Sequence, residues 1–340
     1  MSARIKDVAD AANVSTSTVV RVLHNRPYVR DEVRKRVFNE IERLGYIPNK
    51  IASLLKTGVK KTIGLICSEY PSTFWDEIVN GAVTAAEELN LAGVVLTVAR
   101  VNKSCSAAEY RDQIYDLYKT GIDFLIITGI FPDQAVDVIS KYDIPVGVIS
   151  IDMPLLLTKR FFIGPDDGLC GRIAAGFIGK MTQMYNIAIF TAAKPLSSYV
   201  QEKRISSFRR VMEDASPGKH TISVVECLSR NGGTNCQIIE DYVRSRLINA
   251  VYLPDGAIID SFSMNPINYE GKRPVIISHE LNPETSAMLL ADIVDLTINQ
   301  NPYHQGYESV KRAYNCLENG NSPEYEFVSA DLRVVIREML

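Results

Sequence analysis

The sequence predicts an all-α helix-turn-helix headpiece joined to a bilobal α/β core of two doubly wound parallel sheets. Three observations carry that expectation: a basic, helix-patterned N-terminal end, a longer remainder in which β-branched runs alternate with helical stretches, and a length of 340 residues, more than one ordinary domain. The first 61 residues hold 13 Lys and Arg against 6 Asp and Glu, a net of +7, and the rest of the chain carries −10. A compact basic end points to a polyanion partner, because Lys and Arg that neutralise phosphates release counterions.

Composition narrows the class further. With 46% hydrophobic and 23% charged residues, the chain is unlike a disordered one. No apolar run approaches the ~18 to 20 residues of a membrane helix. The start, Met1-Ser2-Ala3-Arg4-Ile5-Lys6-Asp7, lacks the apolar stretch of a secretory signal. A cytoplasmic, nucleoid-associated protein without a membrane partner is therefore expected. Cys67, Cys105, Cys170, Cys227, Cys236 and Cys316 form no CxxC pair and have no His at zinc spacing, so reduced thiols and no metal or other cofactor are expected.

The headpiece reads as three helices. Ile5, Val8, Ala9 and Ala12 make one apolar stripe, and Asn13-Val14 interrupts it. Ser15 caps a second helix to about Leu23 with Val19 and Leu23 inward. Thr16, Ser17, Thr18 and Arg21 face outward, small hydroxyls and one long cation suited to base edges in a major groove. The hydroxyls also have plainer uses, as caps or simply exposed groups. A third helix, roughly Asp31 to Leu44, buries Val33, Val37, Ile41 and Leu44 and shows Arg34, Lys35 and Arg36 to solvent.

Taken in order, Ile5-Lys6-Asp7-Val8-Ala9, Val14-Ser15, Thr18-Val19-Val20-Arg21-Val22-Leu23 and Gly45-Tyr46-Ile47-Pro48-Asn49 resemble the headpiece of the lactose-repressor (LacI/GalR) family of bacterial transcription regulators, over nearly all of residues 4 to 57. The resemblance implies a homodimer that sets two recognition helices in successive major grooves of a near-palindromic double-stranded operator. It makes Thr16, Ser17 and Arg21 the base readers, and Ser15, Thr18, His24, Asn25 and Tyr28 contacts to the DNA backbone. Residues 49–58 look like the family's hinge helix, with Asn49, Ala52 and Leu55 in the minor groove and Leu55 as an apolar wedge. So short a helix is marginal alone, which couples its folding to DNA binding. Three residues depart from the family pattern: Asn13 replaces a turn glycine, Val20 a serine, and Arg30 a cap serine that leaves Asp31 as the substitute cap.

In the remainder, strands are expected over residues 62–67, 94–98, 124–128, 146–151, 187–191, 222–225, 250–253 and 275–278, separated by helical stretches. They divide into two lobes near residues 161–167, and a run at 293–298 is expected to return the chain to the first lobe. The resulting organisation is a headpiece over 1–47, a hinge over 48–60, and a core over 61–340. Lobe 1 takes about 61–164 and 293–330, lobe 2 about 165–292 plus the C-terminal tail. This core resembles the periplasmic-binding-protein type I-like half of the same family. It implies a small effector, a sugar or sugar-like molecule, in the cleft at the strand ends.

The effector candidates follow from that placement. Ser72-Thr73-Phe74-Trp75 looks like the loop whose aromatic faces pack on sugars, with burial of either ring in the core or the dimer interface as the alternative. Arg204 offers a planar fork, and a surface ion pair with Glu202 or another acid is its plainer use. Asp152, Asp255, His279 and Glu280 end strands, and Gln300 sits in the Asn-Gln-Asn-Pro crossover. Asp167 is expected to cap a helix, with contact to the ligand as the alternative. The chain shows no GxSxG, GxGxxG after a strand, Walker-type loop or HExxH, so no enzyme is expected. The rival reading is a sugar-binding transport-type receptor without a DNA role. The combined reading is a ligand-responsive, sequence-specific regulator, most simply a repressor.

Overall fold

Apolar spacing of three and four residues at the N-terminal end yields three helices around a small core. A computed structural model describes the chain except residues 1–4, 24–28, 45–59, 70–71, 103, 155, 157, 183–184, 193–197, 216, 228–231, 262–271 and 320–324. The helices are α1 (Ile5–Ala11), α2 (Thr16–Leu23) and α3 (Asp31–Leu44). They bury Val8, Ala9, Ala12, Val19, Val22 and Val37, with Val33, Ile41 and Leu44 packed alongside. Val22, not foreseen as an inward residue, is buried with Val19 because the two lie on one side of the helix. Arg34 is half-buried rather than solvent-facing, unlike Lys35 and Arg36. Asp31 is the first helical residue, which leaves Arg30 at the cap, where its carbonyl accepts from the Arg34 N–H at 3.0 Å.

The α1–α2 turn needs a left-handed residue, and Asn13 supplies it with φ 51. The Val14 N–H reaches back to the Ala9 carbonyl at 3.0 Å and the Asn13 N–H to Asp10 at 3.2 Å, the paired closure of a helix end.

The core holds two six-stranded sheets. The first uses β1 (Lys61–Ser68), β2 (Val94–Val101), β3 (Phe124–Ile127), β4 (Val146–Ile149), β5 (Phe161–Gly164) and β11 (Glu326–Ser329), in the order β11-β5-β4-β3-β1-β2. The second uses β6 (Tyr185–Ala192), β7 (His220–Cys227), β8 (Ala250–Tyr252), β9 (Val275–His279), β10 (Leu296–Asn299) and β12 (Arg333–Val335), in the order β12-β10-β9-β8-β6-β7. Every pairing is parallel except β10 with β12.

Helices cover both faces of each sheet. In the first lobe α4 (Ser72–Glu88) and α11 (Pro302–Asn319) lie on one face, α5 (Ala107–Lys119) and α6 (Pro132–Tyr142) on the other. In the second, α7 (Asp167–Met181) and α8 (Ser198–Ala215) oppose α9 (Gly232–Ser245) and α10 (Pro283–Leu290). The period of two along each strand sorts the side chains. Phe124 and Ile126 face α4 and α11, while Leu125 and Ile127 face α5 and α6. Two glycines let helices touch: a Cβ on Gly306 would lie 1.8 Å from the Ile78 carbonyl oxygen, and one on Gly171 2.1 Å from that of Arg204. The second contact seats α8 close against α7 and carries Arg204 into the lobe.

The run at 293–298 does not begin the return to the first lobe. Ile293 and Val294 are buried in the second lobe and β10 joins its sheet, so the return starts at Gln300. The chain crosses between lobes at three places, after β5, after β10 and between β11 and β12.

Candidate functional site

On α2 the Ser15 hydroxyl accepts the Thr18 N–H at 3.1 Å and so caps the helix. It also lies 2.7 Å from the Ser17 hydroxyl and 2.9 Å from that of Thr18, which ties three hydroxyls into one cluster. Thr16, Ser17 and Arg21 are exposed on the side opposite Val19 and Val22, and Thr18 is half-buried. His24, Asn25, Tyr28, Asn49, Ala52 and Leu55 lie outside the described residues.

Between the lobes, the C-terminal ends of β8 and β9 face the first turn of α4. Phe74 and Glu77 of α4 meet Gly256 and Glu280 of the second lobe across a space of about 20 Å³, a single water's worth. Val200 of α8 also packs on the first lobe's core, so the two halves are in contact. Glu280 and Asn301 adopt left-handed φ values of 70 and 51, and Ser150 at the end of β4 has 62. Backbone strain of this kind concentrates where a structure holds functional groups.

The segment expected to be an aromatic loop is the first turn of α4, and this corrects one residue. Trp75 is 1% exposed, packed in the first core beside Ile78, so it cannot present a face to a ligand. Neighbouring helical residues point about 100° apart. Phe74 therefore lines the cleft while Trp75 turns inward, with the two rings edge to face at 5.1 Å.

Arg204, 4% exposed, is bound within its own lobe. Its Nε donates to Asp167 at 2.8 Å, and its Nη1 to the Pro254 carbonyl at 2.7 Å and to His279 Nδ1 at 3.3 Å. Burial pulls the guanidinium toward neutrality, but Asp167 and the other groups around it win and hold it charged, above its ordinary range. Asp167 is thus the ion partner and not the cap. The cap of α7 is Asp166, whose carboxylate accepts the Leu169 N–H at 3.0 Å.

His279 is wholly buried, which removes it from ligand contact in this arrangement. Burial first and Arg204 second push its pKa well down, so the ring is neutral. An Arg N–H only donates, so Nδ1 accepts and the Nε2–H donates to the Tyr252 hydroxyl at 3.0 Å.

Of the other candidates, Asp255 accepts from Gln201 at 3.0 Å, and Asp152 from Lys159 at 2.7 Å. Gln300 donates its amide to Glu280 Oε1, and its carbonyl accepts from Gln305 at 2.9 Å. Glu280 Oε2 is buried with no partner among the described residues. The structure therefore brings Phe74 and Glu280 to the open space, holds Gln300 on Glu280 without lining the space, keeps Arg204 and His279 buried, and leaves Asp152 on the first lobe. Sequence reasoning missed Gln201, Lys159, Tyr252 and Glu77. Of these, Gln201 had a signal, three residues before Arg204 on one helix face.

The Glu280 carboxyl is pushed up to about 7, by burial first, against the lowering influence of Arg204 and Gln300; Asp255 and Asp167 add to the rise. A buried acid with a raised pKa opposes ionisation. Stability is therefore fullest below the ordinary value of 4.5, falls as pH climbs to about 7, and is flat beyond. Glu280→Gln is expected to flatten that fall in a plot of Tm against pH. An unchanged slope would assign it to another group.

Residues 63–322 match the family described as "Periplasmic binding protein domain", and residues 4–49 match "Bacterial regulatory proteins, lacI family". The chain belongs to the periplasmic binding protein domain family and carries a lacI-type regulatory segment at its N-terminal end. Among relatives of this chain, the HTH-type transcriptional regulator RegA of Clostridium acetobutylicum is 37% identical over 126 residues, 37% of this chain and 36% of RegA. The HTH-type transcriptional regulator DegA of Bacillus subtilis is 30% identical over 218 residues, 63% of this chain and 62% of DegA. The aligned part thus spans less than two thirds of either relative.

The lac repressor dimer bound to operator and the anti-inducer ONPF shares the fold over 100% of both chains, with a TM-score of 0.63 and 19% identity. The chain also superposes on GanP, a glucose-galactose binding protein from Geobacillus stearothermophilus, with a TM-score of 0.70 and 20% identity over 83% of this chain and 99% of GanP. Among the described residues, no helix is long and apolar enough to cross a membrane.

Proposed function

We propose that the protein is a transcription regulator that binds a near-palindromic operator as a homodimer and changes its affinity when a small polar effector, a sugar or sugar-like molecule, occupies the interlobe cleft. The observation that carries the reading is the recognition helix: α2 anchors Val19 and Val22 in the headpiece core and leaves Thr16, Ser17 and Arg21 exposed. Family membership and relatives named as transcriptional regulators support a binding role rather than catalysis. Repression is the simplest output, since a dimer seated on an operator occludes it, and the site of action is the cytoplasmic nucleoid.

Homodimer formation is supported by the edge of the first lobe. Val83 and Ala86 of α4 and Val94, Leu96 and Val98 of edge strand β2 line a shallow apolar groove there. Ser15, Thr18, His24, Asn25 and Tyr28 are assigned to the DNA backbone, Asn49, Ala52 and Leu55 to the minor groove. Phe74, Glu280 and Gln300 are assigned to the effector directly. Arg204, His279, Asp255 and Asp152 act behind them as positioning groups.

Arg21→Ala is expected to weaken operator binding about 5- to 150-fold, the worth of one bidentate base contact of about 1 to 3 kcal/mol, and to relax preference at one base pair. Gel retardation against an operator fragment and its single-base variants reads both effects. Full affinity with unchanged preference would sink the assignment of α2.

A further inference from the structure

The open space between the lobes has an uneven charge. Among the described residues, the only ionisable side chains lining it are Glu77 from the first lobe and Glu280 from the second, beside Phe74 and Asn282. No cation among the described residues lines it. The described cations nearby already have partners: Arg204 has Asp167, Pro254 and His279, Lys159 has Asp152 and the Met153 carbonyl, and Lys203 lies 4.4 Å over the Tyr199 ring. Glu280 is 8% exposed, and its Oε2 lacks any partner among the described residues.

We propose that the effector is a hydroxyl-bearing molecule with a protonated amine, such as an amino sugar, whose ammonium group sits between Glu77, Glu280 and the face of Phe74. The inference rests on the reading of the cleft as an effector site and names its ligand class.

Two carboxyls and a ring make an ammonium site by simple electrostatics. A ring face attracts a cation, and a desolvated carboxylate does so more strongly. The unpaired Glu280 oxygen is costly as it stands, and an N⁺–H donor would both satisfy it and favour its ionised form. An anionic effector meets the opposite situation, because two carboxyls repel it and Arg204 is spent. A neutral sugar satisfies the oxygen but does nothing to favour the ionised form of Glu280, which burial opposes. The space holds about one ammonium group as it stands, so the lobes must part to admit the rest of the molecule.

Thermal melts of the full-length protein near neutral pH test this, with glucosamine beside glucose, galactosamine beside galactose, and glucose 6-phosphate, gluconate and calcium chloride. At least one amine is expected to raise Tm by about 2 °C or more at saturating concentration, with little or no shift from its hydroxyl counterpart, the anions or calcium. Glu280→Gln should abolish that shift. Glu77→Gln, at an exposed position, should at least halve it, which keeps the test open if the first variant folds poorly.

A larger shift from any non-amine probe, no shift from any probe, or an amine shift unchanged in both variants overturns the proposal. Operator retardation by the same preparation is read separately. Retained DNA binding beside any of those results sinks only the ligand class, whereas an amine shift without DNA binding sinks the regulator reading and keeps the ligand.

Discussion

In the Arg204→Ala variant the full-length protein is expected to lose about 3 to 5 kcal/mol of core stability, the usual consequence of removing one partner of a buried ion pair. Asp167, itself 8% exposed, would remain as an uncompensated carboxylate, and the Pro254 carbonyl and His279 Nδ1 would lose their donor. Urea unfolding followed by circular dichroism measures the loss. The diagnostic is its context. Adding Asp167→Asn to the alanine variant removes the stranded charge and should recover part of the loss, a coupling of about 0.5 to 3 kcal/mol. A single-variant loss below about 1 kcal/mol, with the double variant simply additive, would show that the pair does not hold the lobe together. It would then return Arg204 to the role of a ligand contact.

Trp75→Ala is expected to cost about 3 to 5 kcal/mol as well, for a different reason. The side chain is 1% exposed and fills the space between α4 and the first sheet, so truncation leaves a cavity in a dense core. It is the only tryptophan, so unfolding must be followed by circular dichroism rather than fluorescence. Trp75→Phe, which keeps most of the volume, should lose much less and should keep whatever ligand stabilisation the native protein shows. A mild effect on stability with a complete loss of ligand response would reverse the assignment and put the indole in the cleft.

The sequence made the headpiece legible because each feature there is local. The stripe at Val8, Ala9 and Ala12, the left-handed Asn13 and the Ser15 cap lie within a dozen residues and determine one another. Most core strands were legible as β-branched runs. β5, β11 and β12 were not: β11 and β12 are short sheet-edge strands in which only Val335 is buried, so neither carries an apolar run. The run at 293–298 was visible as a strand, yet its sheet was not, because nothing in an apolar run specifies which neighbour it pairs with.

The cleft divides in the same way. Glu280, His279 and Arg204 were identifiable as polar residues at strand ends or on a helix bordering the cleft. Which of them neutralise one another was not, since Arg204 and Asp167 meet across 37 positions of sequence and Lys159 reaches Asp152 through irregular chain. Phe74 and Trp75 are adjacent and chemically alike. Only the start of α4 at Ser72 separates one at the cleft from one in the core.

The three passages of chain between the sheets have a mechanical corollary. A single tether would let the halves swivel freely, and two would still allow a twist. Three side-by-side straps suppress both and leave one axis, so the jaws open and shut like a door on a piano hinge. On the proposed function, a molecule caught in the gap would have a single quantity to communicate to the headpiece, the angle at which it props that door.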